Sequence, residues 1–400
     1  MSRFLSVLAF VSAIAASSPA LAQTFPDFRE GDKPASWTGR VFKLSQNYPT
    51  TRPAAETLPW KSVNFKTQPA TYLQRVLNYC YEGNIESDWT GEGNSVRKWY
   101  HAPWLHLGNE KGREFIRGTT RERTTPARRL HPDQSSQFGA WAVGLYNPRG
   151  GYTIGQVWKD PENPDAGEAI FPEGSVACKL IFTAATVAQV PYLAGSIEWE
   201  INGATTFGGT RSPMTVRLLQ IDVAVKDSRA AGTTGWVFGT FNYNSAASGT
   251  RPWDKMVPVG LMWGNDPLLT PTKYRQGQRP QQSKVLFPNV MVNPGTDWKG
   301  VGWLERLNGP IDNPASACLS CHMTAAWRRT SSMINSSLTF NQVTSNATLD
   351  PDVVTQKMRW FKNIKRQPFD PGQEALDYSL QLHDGIENFC GSNTSACNSR

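Results

Sequence analysis

Three residues near the end of the chain have types and a spacing that suit one particular chemistry. Cys318, Cys321 and His322 form the string C-x-x-C-H. Two thiols at this spacing can reach the two vinyl groups at one edge of a porphyrin, and the histidine that follows can turn beneath the iron as its proximal ligand. One turn of helix would place all three. The string therefore predicts a covalently attached c-type haem.

Two other kinds of site share part of this pattern. A zinc half-site needs a second pair of Cys or His ligands at similar spacing, and the sequence has none. A thioredoxin-like C-x-x-C follows the first strand of a βαβ unit, whereas this motif follows a turn-rich stretch at 308–314. Both fit less well than haem. Because the motif occurs once, we predict a single haem.

The ligand opposite His322 would decide what such a haem does. A Met or His there fills the iron and favours electron transfer, whereas an open position favours ligand binding or catalysis. His101 and His106 lie among aromatic residues and could face the haem or a substrate, or pack into an aromatic core. Met333 and Met358 have the spacing of core residues, and His383 lies near a predicted helix end, where a solvated histidine is common. The residues that could fill this position are Met333, Met358, His383, His101 and His106.

The first 22 residues have the pattern of a signal peptide. Arg3 gives the positive start, an apolar run follows at 4–16, and Ala20-Leu21-Ala22 forms an A-x-A cleavage site. The run is too short for a membrane span, and no later stretch is long and apolar enough for one. We therefore predict a periplasmic or secreted protein that has no membrane span once the signal peptide is removed.

Export to an oxidising compartment permits disulfides among the four cysteines that the motif does not use. Cys390 and Cys397 lie close together in a polar segment, where we predict a local disulfide. Cys80 and Cys178 could pair or remain buried thiols. The formal charge of +8 comes from scattered basic residues without a nucleic-acid-binding motif, so we expect no nucleic-acid partner. A basic face suits an acidic periplasmic redox partner.

Alternating apolar and polar residues, separated by turn signals, predict a mainly β protein. We expect an antiparallel sheet or sandwich with a helical C-terminal segment, α+β overall. The predicted strands are 175–185, 215–225, 235–243 and 257–262. Helices are predicted at 71–82, from Asp350 and from Asp370. The predicted organisation is a signal peptide (1–22), a loop-rich extension with one helix (23–150), a β-rich haem domain (151–330) and a helical extension (331–400).

Three stretches, in this order, resemble the cytochrome P-460 and cytochrome c′-beta family. Phe171–Lys179 is similar to the family's F-x-D-G-x-V-x-x-K strand entry. Leu219–Ser228 followed by Gly235–Phe241 looks like its V-K-D and G-x-W strand pair. Cys318–His322 is the haem motif. Relative to the family, the chain has an extra segment at 198–213 and is extended at both ends.

The resemblance implies a compact antiparallel β protein with a five-coordinate haem. It implies either oxidation of hydroxylamine, as in the P-460 branch, or binding of nitric oxide and similar gases, as in the c′-beta branch. By position, Lys179 matches the lysine that is crosslinked to the porphyrin in P-460 proteins. Asp222 lies near the family's distal carboxylate, which accepts protons from substrate. We therefore expect oxidation or binding of a small nitrogen or oxygen compound, with a six-coordinate electron-transfer cytochrome as the alternative.

Overall fold

A computed structural model gives the architecture of most of the chain. It describes residues 25–265 except 55 and 109, 306–331, 358–393, and the short pieces 272–273, 276–278, 284–287, 302–303, 333 and 397. The predicted signal peptide lies outside these residues. The helix predicted from Asp350 lies outside them for most of its length.

Eight strands form one antiparallel sheet. They are β1 (Thr120–Thr125), β2 (Phe138–Tyr146), β3 (Val176–Thr183), β4 (Glu198–Gly203), β5 (Ser212–Lys226), β6 (Trp236–Tyr243), β7 (Met256–Met262) and β8 (Lys284–Leu286). The order across the sheet is β1-β2-β3-β5-β6-β7-β8, and β4 pairs with the beginning of β5. This confirms the mainly antiparallel β fold class. All four predicted strands are present, as β3, β5, β6 and β7.

Strands β1, β2, β4 and β8 have no counterpart among the predicted strands. β1 has the polar sequence TRERTT, and β2 carries Gly139 and Gly144, so neither has the apolar alternation that indicates a strand. Both nevertheless pair in register with the predicted part of the sheet, because β2 lies directly beside β3. Two strands from the predicted loop-rich extension therefore belong to the same sheet as the predicted haem domain.

Helix α1 (Pro69–Tyr81), predicted at 71–82, covers one face of this sheet. Its apolar face packs closely on β6, where a Cβ atom at Gly239 would lie 2.3 Å from Leu73 Cδ2. A disulfide between Cys80 and Cys178 links the helix to β3. A second helix, α2 (Pro148–Val157), follows β2 and is capped by the Asn147 side chain, which accepts a hydrogen bond from Gly150 N.

The opposite face carries the C-terminal part of the chain. Here lie α3 (Cys318–His322), a two-stranded sheet of β9 (Ala326–Trp327) and β10 (Glu374–Ala375), and α4 (Leu380–Ser392). The prediction that a helix begins at Asp370 is wrong by ten residues, since α4 begins at Leu380. The chain first pairs as β10, and Asp377 and Tyr378 then take φ values of 42° and 70°, which are incompatible with a right-handed helix. Within the described ranges, no helix combines the length and apolar character needed to cross a membrane.

Candidate haem site

Helix α3 consists of the five residues of the C-x-x-C-H string. Its start is fixed by Ser320, whose hydroxyl accepts a hydrogen bond from Ala317 N at 2.8 Å and donates one to Ala317 O at 2.9 Å. Leu319 is buried in the apolar cluster beneath the helix. Cys318 and Cys321 are both free thiols. Two reduced thiols and one imidazole are therefore presented on a single helical turn, as the sequence predicts.

His322 is held in a defined tautomer. Its Nδ1 atom lies 2.9 Å from the carbonyl oxygen of Tyr378. Because a carbonyl can only accept, Nδ1 carries the proton and Nε2 keeps its lone pair. Burial lowers the pKa of His322 to about 4, although the bond to Tyr378 opposes this. At neutral pH the imidazole is uncharged and its Nε2 can act as a metal ligand.

A cavity of about 360 Å³ lies between His322 and the sheet. Its floor is made by the β2, β3 and β5 members of two adjacent rows, together with Phe238 of β6. The residues of each row point to the same face because side chains alternate along a strand. Small residues in both rows leave room above the backbone. The first row across β2, β3, β5, β6 and β7 is Gly144, Lys179, Asp222, Thr240 and Gly260. The second row is Tyr146, Ala177, Ala224, Phe238 and Met262.

Lys179 and Asp222, the two residues singled out by the family resemblance, are direct cross-strand neighbours in this floor. Lys179 Nζ lies 3.0 Å from Glu122 Oε2 on β1. Burial disfavours the charged amine, but the carboxylates of Glu122, Asp222 and Asp312 outweigh burial and raise the pKa of Lys179 above its usual range. The amine is thus a cation at neutral pH, paired with carboxylates on the cavity floor.

Asp222 belongs to a half-buried carboxylate pair. Gln220 Nε2 donates to both Asp222 oxygens at 2.9 Å and to Asp312 Oδ2 at 3.1 Å. Thr240 donates to Asp222 Oδ1 at 2.8 Å, and its hydroxyl lies 3.9 Å from Cys318 Sγ. Burial, and then the charge of Asp312, raise the pKa of Asp222 to about 7. A carboxyl with that pKa can both take up and release a proton near neutral pH.

Of the two histidines in the aromatic segment 99–106, only His101 lines this cavity. Its side chain is buried, and neither ring nitrogen has a hydrogen-bond partner. Burial, assisted by the charge of Arg113, lowers the pKa of His101 to about 3. The ring meets Phe42 edge-on. His106 stacks on Trp104 instead, which is the aromatic packing that the sequence left open.

The other candidates for the iron's second axial position differ in their surroundings. His383 is buried within α4, which corrects the expectation of a solvated histidine near a helix end. Its Nδ1 lies 2.9 Å from Ala326 O, and its Nε2 lies 3.2 Å from Glu387 Oε2. Met333 is partly exposed and lines the same cavity as His322. Met358 packs against the apolar cluster around α4.

The remaining four cysteines form two disulfides. Cys390 pairs with Cys397, which confirms the predicted local bond, and Cys80 pairs with Cys178. The only free cysteines in the described part of the chain are therefore Cys318 and Cys321. Because the other four cysteines pair with one another, both thiols of the C-x-x-C-H string remain available for a covalent partner.

Several residues of the site carry no signal in the sequence. Asp312 lies in the turn before the haem motif, and only the fold brings it to Gln220 on β5. Glu122 lies in a strand that was not predicted. Tyr378 contributes a backbone carbonyl, which any residue could supply. The polar stretch 120–125 is the one place where an alternating pattern of charged and hydroxyl residues could have indicated a strand edge.

Comparison with known proteins gives no relative of this chain. No family model matches it, no curated protein matches it, and no solved structure has a significantly similar fold. The resemblance to cytochrome P-460 proteins rests on the three sequence stretches alone and stays a prediction.

Proposed function

We propose that this chain is an exported mono-haem c-type cytochrome, with haem attached through Cys318 and Cys321 and with His322 as the proximal ligand. One observation carries the proposal. Two free thiols and a neutral imidazole with an available Nε2 stand on one helical turn beside a cavity. Each thiol would add its S–H bond across one vinyl group of the porphyrin, and this addition requires no oxidant.

The residues around the cavity fit such a group. Ala177 and Ala224 keep the floor low, which suits a flat ring system, while the side chain of Gln381 lies above Gly144. The neutral His322 suits iron because metal-bound imidazole must be unprotonated. The buried ring nitrogens of His101, which lack partners in the protein, give the cavity a polar group that a ligand can satisfy.

Bound haem would supply iron that binds small nitrogen or oxygen compounds and exchanges electrons with a redox partner. The chain supplies the proton chemistry. Asp222, with a pKa of about 7, is the group that would accept a proton from substrate. Lys179 would remain a cation paired with Glu122 and beside Asp222, and so hold the two carboxyl groups in place on the floor. We therefore favour oxidation or binding of a small nitrogen or oxygen ligand at an open iron position.

His101 supports a second candidate function. A buried imidazole with a low pKa and two unpartnered nitrogens, in the same cavity as His322, is suited to be a second axial ligand. In that case the iron would be six-coordinate, and the protein would be an electron carrier without a substrate.

The first experiment tests attachment. The full chain is exported in a bacterial host that attaches haem in its periplasm, and the purified protein is examined by denaturing gel with a haem stain and by intact mass. We expect one covalently bound haem in the wild type and none in a Cys318→Ala/Cys321→Ala variant. A Cys390→Ala/Cys397→Ala variant, which loses a different cysteine pair, should keep the haem. A wild type without bound haem would refute the proposal.

The second experiment separates the two functions through the optical spectrum with and without carbon monoxide. A five-coordinate spectrum that shifts on adding carbon monoxide supports the open site. A six-coordinate low-spin spectrum that is indifferent to carbon monoxide in the wild type, but becomes responsive in His101→Ala, supports the electron carrier. A strongly red-shifted ferrous band that disappears in Lys179→Arg would reveal a lysine crosslink to the porphyrin.

A further inference from the structure

A second cavity, of about 450 Å³, lies beside the haem cavity. It is bordered by the N-terminal segment, by β2 and by the turn that joins β4 to β5. Three guanidinium groups and two carboxylates line it, together with amide and hydroxyl groups. The residues that matter for its chemistry are Arg29, Asp32, Glu110, Arg121, Trp141 and Arg211. None of the chemistry proposed for the haem site requires this cavity.

Arg121 is a buried cation that no carboxylate of the described residues contacts directly, although the charge of Glu110 acts on it from a distance. Its side chain is only 3% exposed, and its guanidinium donates to the Thr206 carbonyl and to Thr124 Oγ1, which are both neutral groups. Its Nε atom has no partner. Among the described residues it forms no ion pair. Burying a permanent charge in this way is costly unless an anion compensates it.

Arg211, on the other side of the cavity, is likewise a cation whose hydrogen bonds go to neutral groups. It donates to the backbone oxygen of Glu110 at 2.8 Å, and its buried Nη1 atom has no partner. Both guanidiniums lie near the ring of Trp141, at 5.9 Å for Arg121 and 5.2 Å for Arg211. Trp141 is fully buried, so it holds the two cations in fixed positions rather than offering its face to a ligand.

The carboxylates that line the cavity do not neutralise this pair. Asp32 is already paired with Arg29, whose Nε lies 2.9 Å from Asp32 Oδ2. Glu110 forms no ion pair within the part of the chain that the structure describes, and its buried Oε2 has no donor. Burial is the main cause of the lowered pKa of Arg211; the charges of Arg29 and Arg121 add to it, and those of Asp32 and Glu114 oppose it. The cavity therefore holds more positive than negative charge.

We propose that this cavity is a binding site for a small oxyanion, a carboxylate or a phosphate group, held between Arg121 and Arg211. A planar fork of N–H donors on each side matches the oxygens of either anion. The unpartnered Nε of Arg121 and Nη1 of Arg211 are the donors left for it. The site uses neither the thiols nor His322, although Arg121 borders both this cavity and the proposed haem cavity.

The test is calorimetric titration of the full chain with inorganic phosphate and, separately, with acetate, at low ionic strength in a chloride buffer. We expect saturable binding of one anion per chain. Binding of phosphate alone would assign a phosphorylated ligand, and binding of acetate alone would assign a carboxylic acid. No saturable binding of either anion would overturn the proposal.

Variants of Arg211 locate the site. Arg211→Gln should weaken binding at least about tenfold, because a charge-assisted hydrogen bond is lost. Arg211→Lys keeps the charge but removes the fork, and should weaken binding less. Arg251→Gln removes one positive charge from an exposed surface pair and should leave binding unchanged. Equal affinity in wild type and Arg211→Gln, with thermal unfolding showing that both are folded, would also overturn the proposal.

Discussion

Asp222 and Asp312 accept hydrogen bonds from the same amide nitrogen, Nε2 of Gln220, at 2.9 and 3.1 Å. The two carboxylates come from a strand and from the turn before the haem motif, so the amide joins two distant parts of the chain. Burial and the proximity of the second carboxylate make a proton on Asp222 favourable up to about pH 7. Asp222 is therefore an acidic group on the cavity floor with a raised pKa, and its titration can be measured.

The first prediction concerns the pH dependence of stability. The folded protein holds a proton on Asp222 up to about pH 7, whereas an unfolded aspartate releases it near pH 4. The contribution of this group is therefore fully present below pH 4 and is lost as pH rises to about 7. In Asp222→Asn, we expect about 2–4 kcal/mol less decline in the free energy of unfolding across that range. Denaturant titration at several pH values measures this, and parallel curves for the two proteins would contradict it.

The second prediction concerns Gln220. Its hydrogen bonds favour the ionised form of Asp222, so Gln220→Leu should raise the pKa of Asp222 further above its usual range. Gly309→Ala should act in the same direction, because a Cβ atom there would lie 2.0 Å from Gln220 Nε2 and displace the amide. For the measurement, each variant is compared with the same variant that also carries Asp222→Asn. The pH at which their free energies of unfolding begin to differ reports the pKa of Asp222. An unchanged midpoint in both would show that the amide does not control this proton.

The third prediction concerns the junction that positions His322. Asp377 accepts from Lys226 Nζ at 2.7 Å, from Trp236 Nε1 at 3.0 Å and from Phe171 N at 3.1 Å, and it directly precedes the residue whose carbonyl holds His322. Asp377→Asn leaves Lys226 buried without a counter-ion, which should cost about 3–5 kcal/mol of stability. Lys226→Met/Asp377→Asn should recover much of this, because Asn keeps an acceptor for Trp236 and Phe171 and tolerates the positive φ of 42°.

A second measurement shows whether this junction reaches the histidine. In the haem-loaded protein, Asp377→Asn should shift the reduction potential, since the Tyr378 carbonyl sets the hydrogen bond to Nδ1. Asp254→Asn, which breaks an exposed pair with Arg251, serves as the control and should change neither stability nor potential appreciably. A potential that is the same in all three proteins would mean that the junction is purely structural.

The fourth prediction compares the two disulfides. Cys80 and Cys178 are separated by 98 residues, and Cys390 and Cys397 by 7. The chain-entropy account then predicts a loss of about 4–5 kcal/mol for Cys80→Ala/Cys178→Ala and about 2–3 kcal/mol for Cys390→Ala/Cys397→Ala. Chemical denaturation of both double variants tests this. A larger loss from the C-terminal pair would show that local packing, and not loop closure, dominates.

The elements that could be predicted are those in which buried residues recur at the regular spacing of a strand or a helix. Strand β5 alternates buried and half-buried residues towards its end, and helix α1 buries Leu73, Val76 and Leu77 at helical spacing. Strands β1 and β2 escaped prediction because β1 is polar and β2 carries glycines. Their place in the sheet is decided by pairing with β3, which is a long-range interaction.

The residues of the candidate site likewise fall into those that the sequence predicts and those that only the fold brings together. Cys318, Cys321 and His322 are contiguous, so their spacing alone predicts their chemistry. The pairing of Lys179 with Asp222 depends on the register of β3 and β5, and the resemblance supplied the residues but not their contact. Asp312 and the Tyr378 carbonyl reach the site through turns and left-handed backbone conformations, for which a single sequence has no periodic signal.

The distribution of the six cysteines sets a requirement on how the protein matures. Four of them are oxidised in pairs and two are reduced. If the chain is exported as we propose, one oxidising compartment must produce both outcomes. Cys318 and Cys321 stand one helical turn apart, where an oxidase could capture them before any porphyrin arrives. If haem is attached in the periplasm as we propose, assembly must follow an order in which the motif is shielded or re-reduced until its thiols are consumed. A strain lacking periplasmic thiol reductants should then accumulate full-length protein without haem.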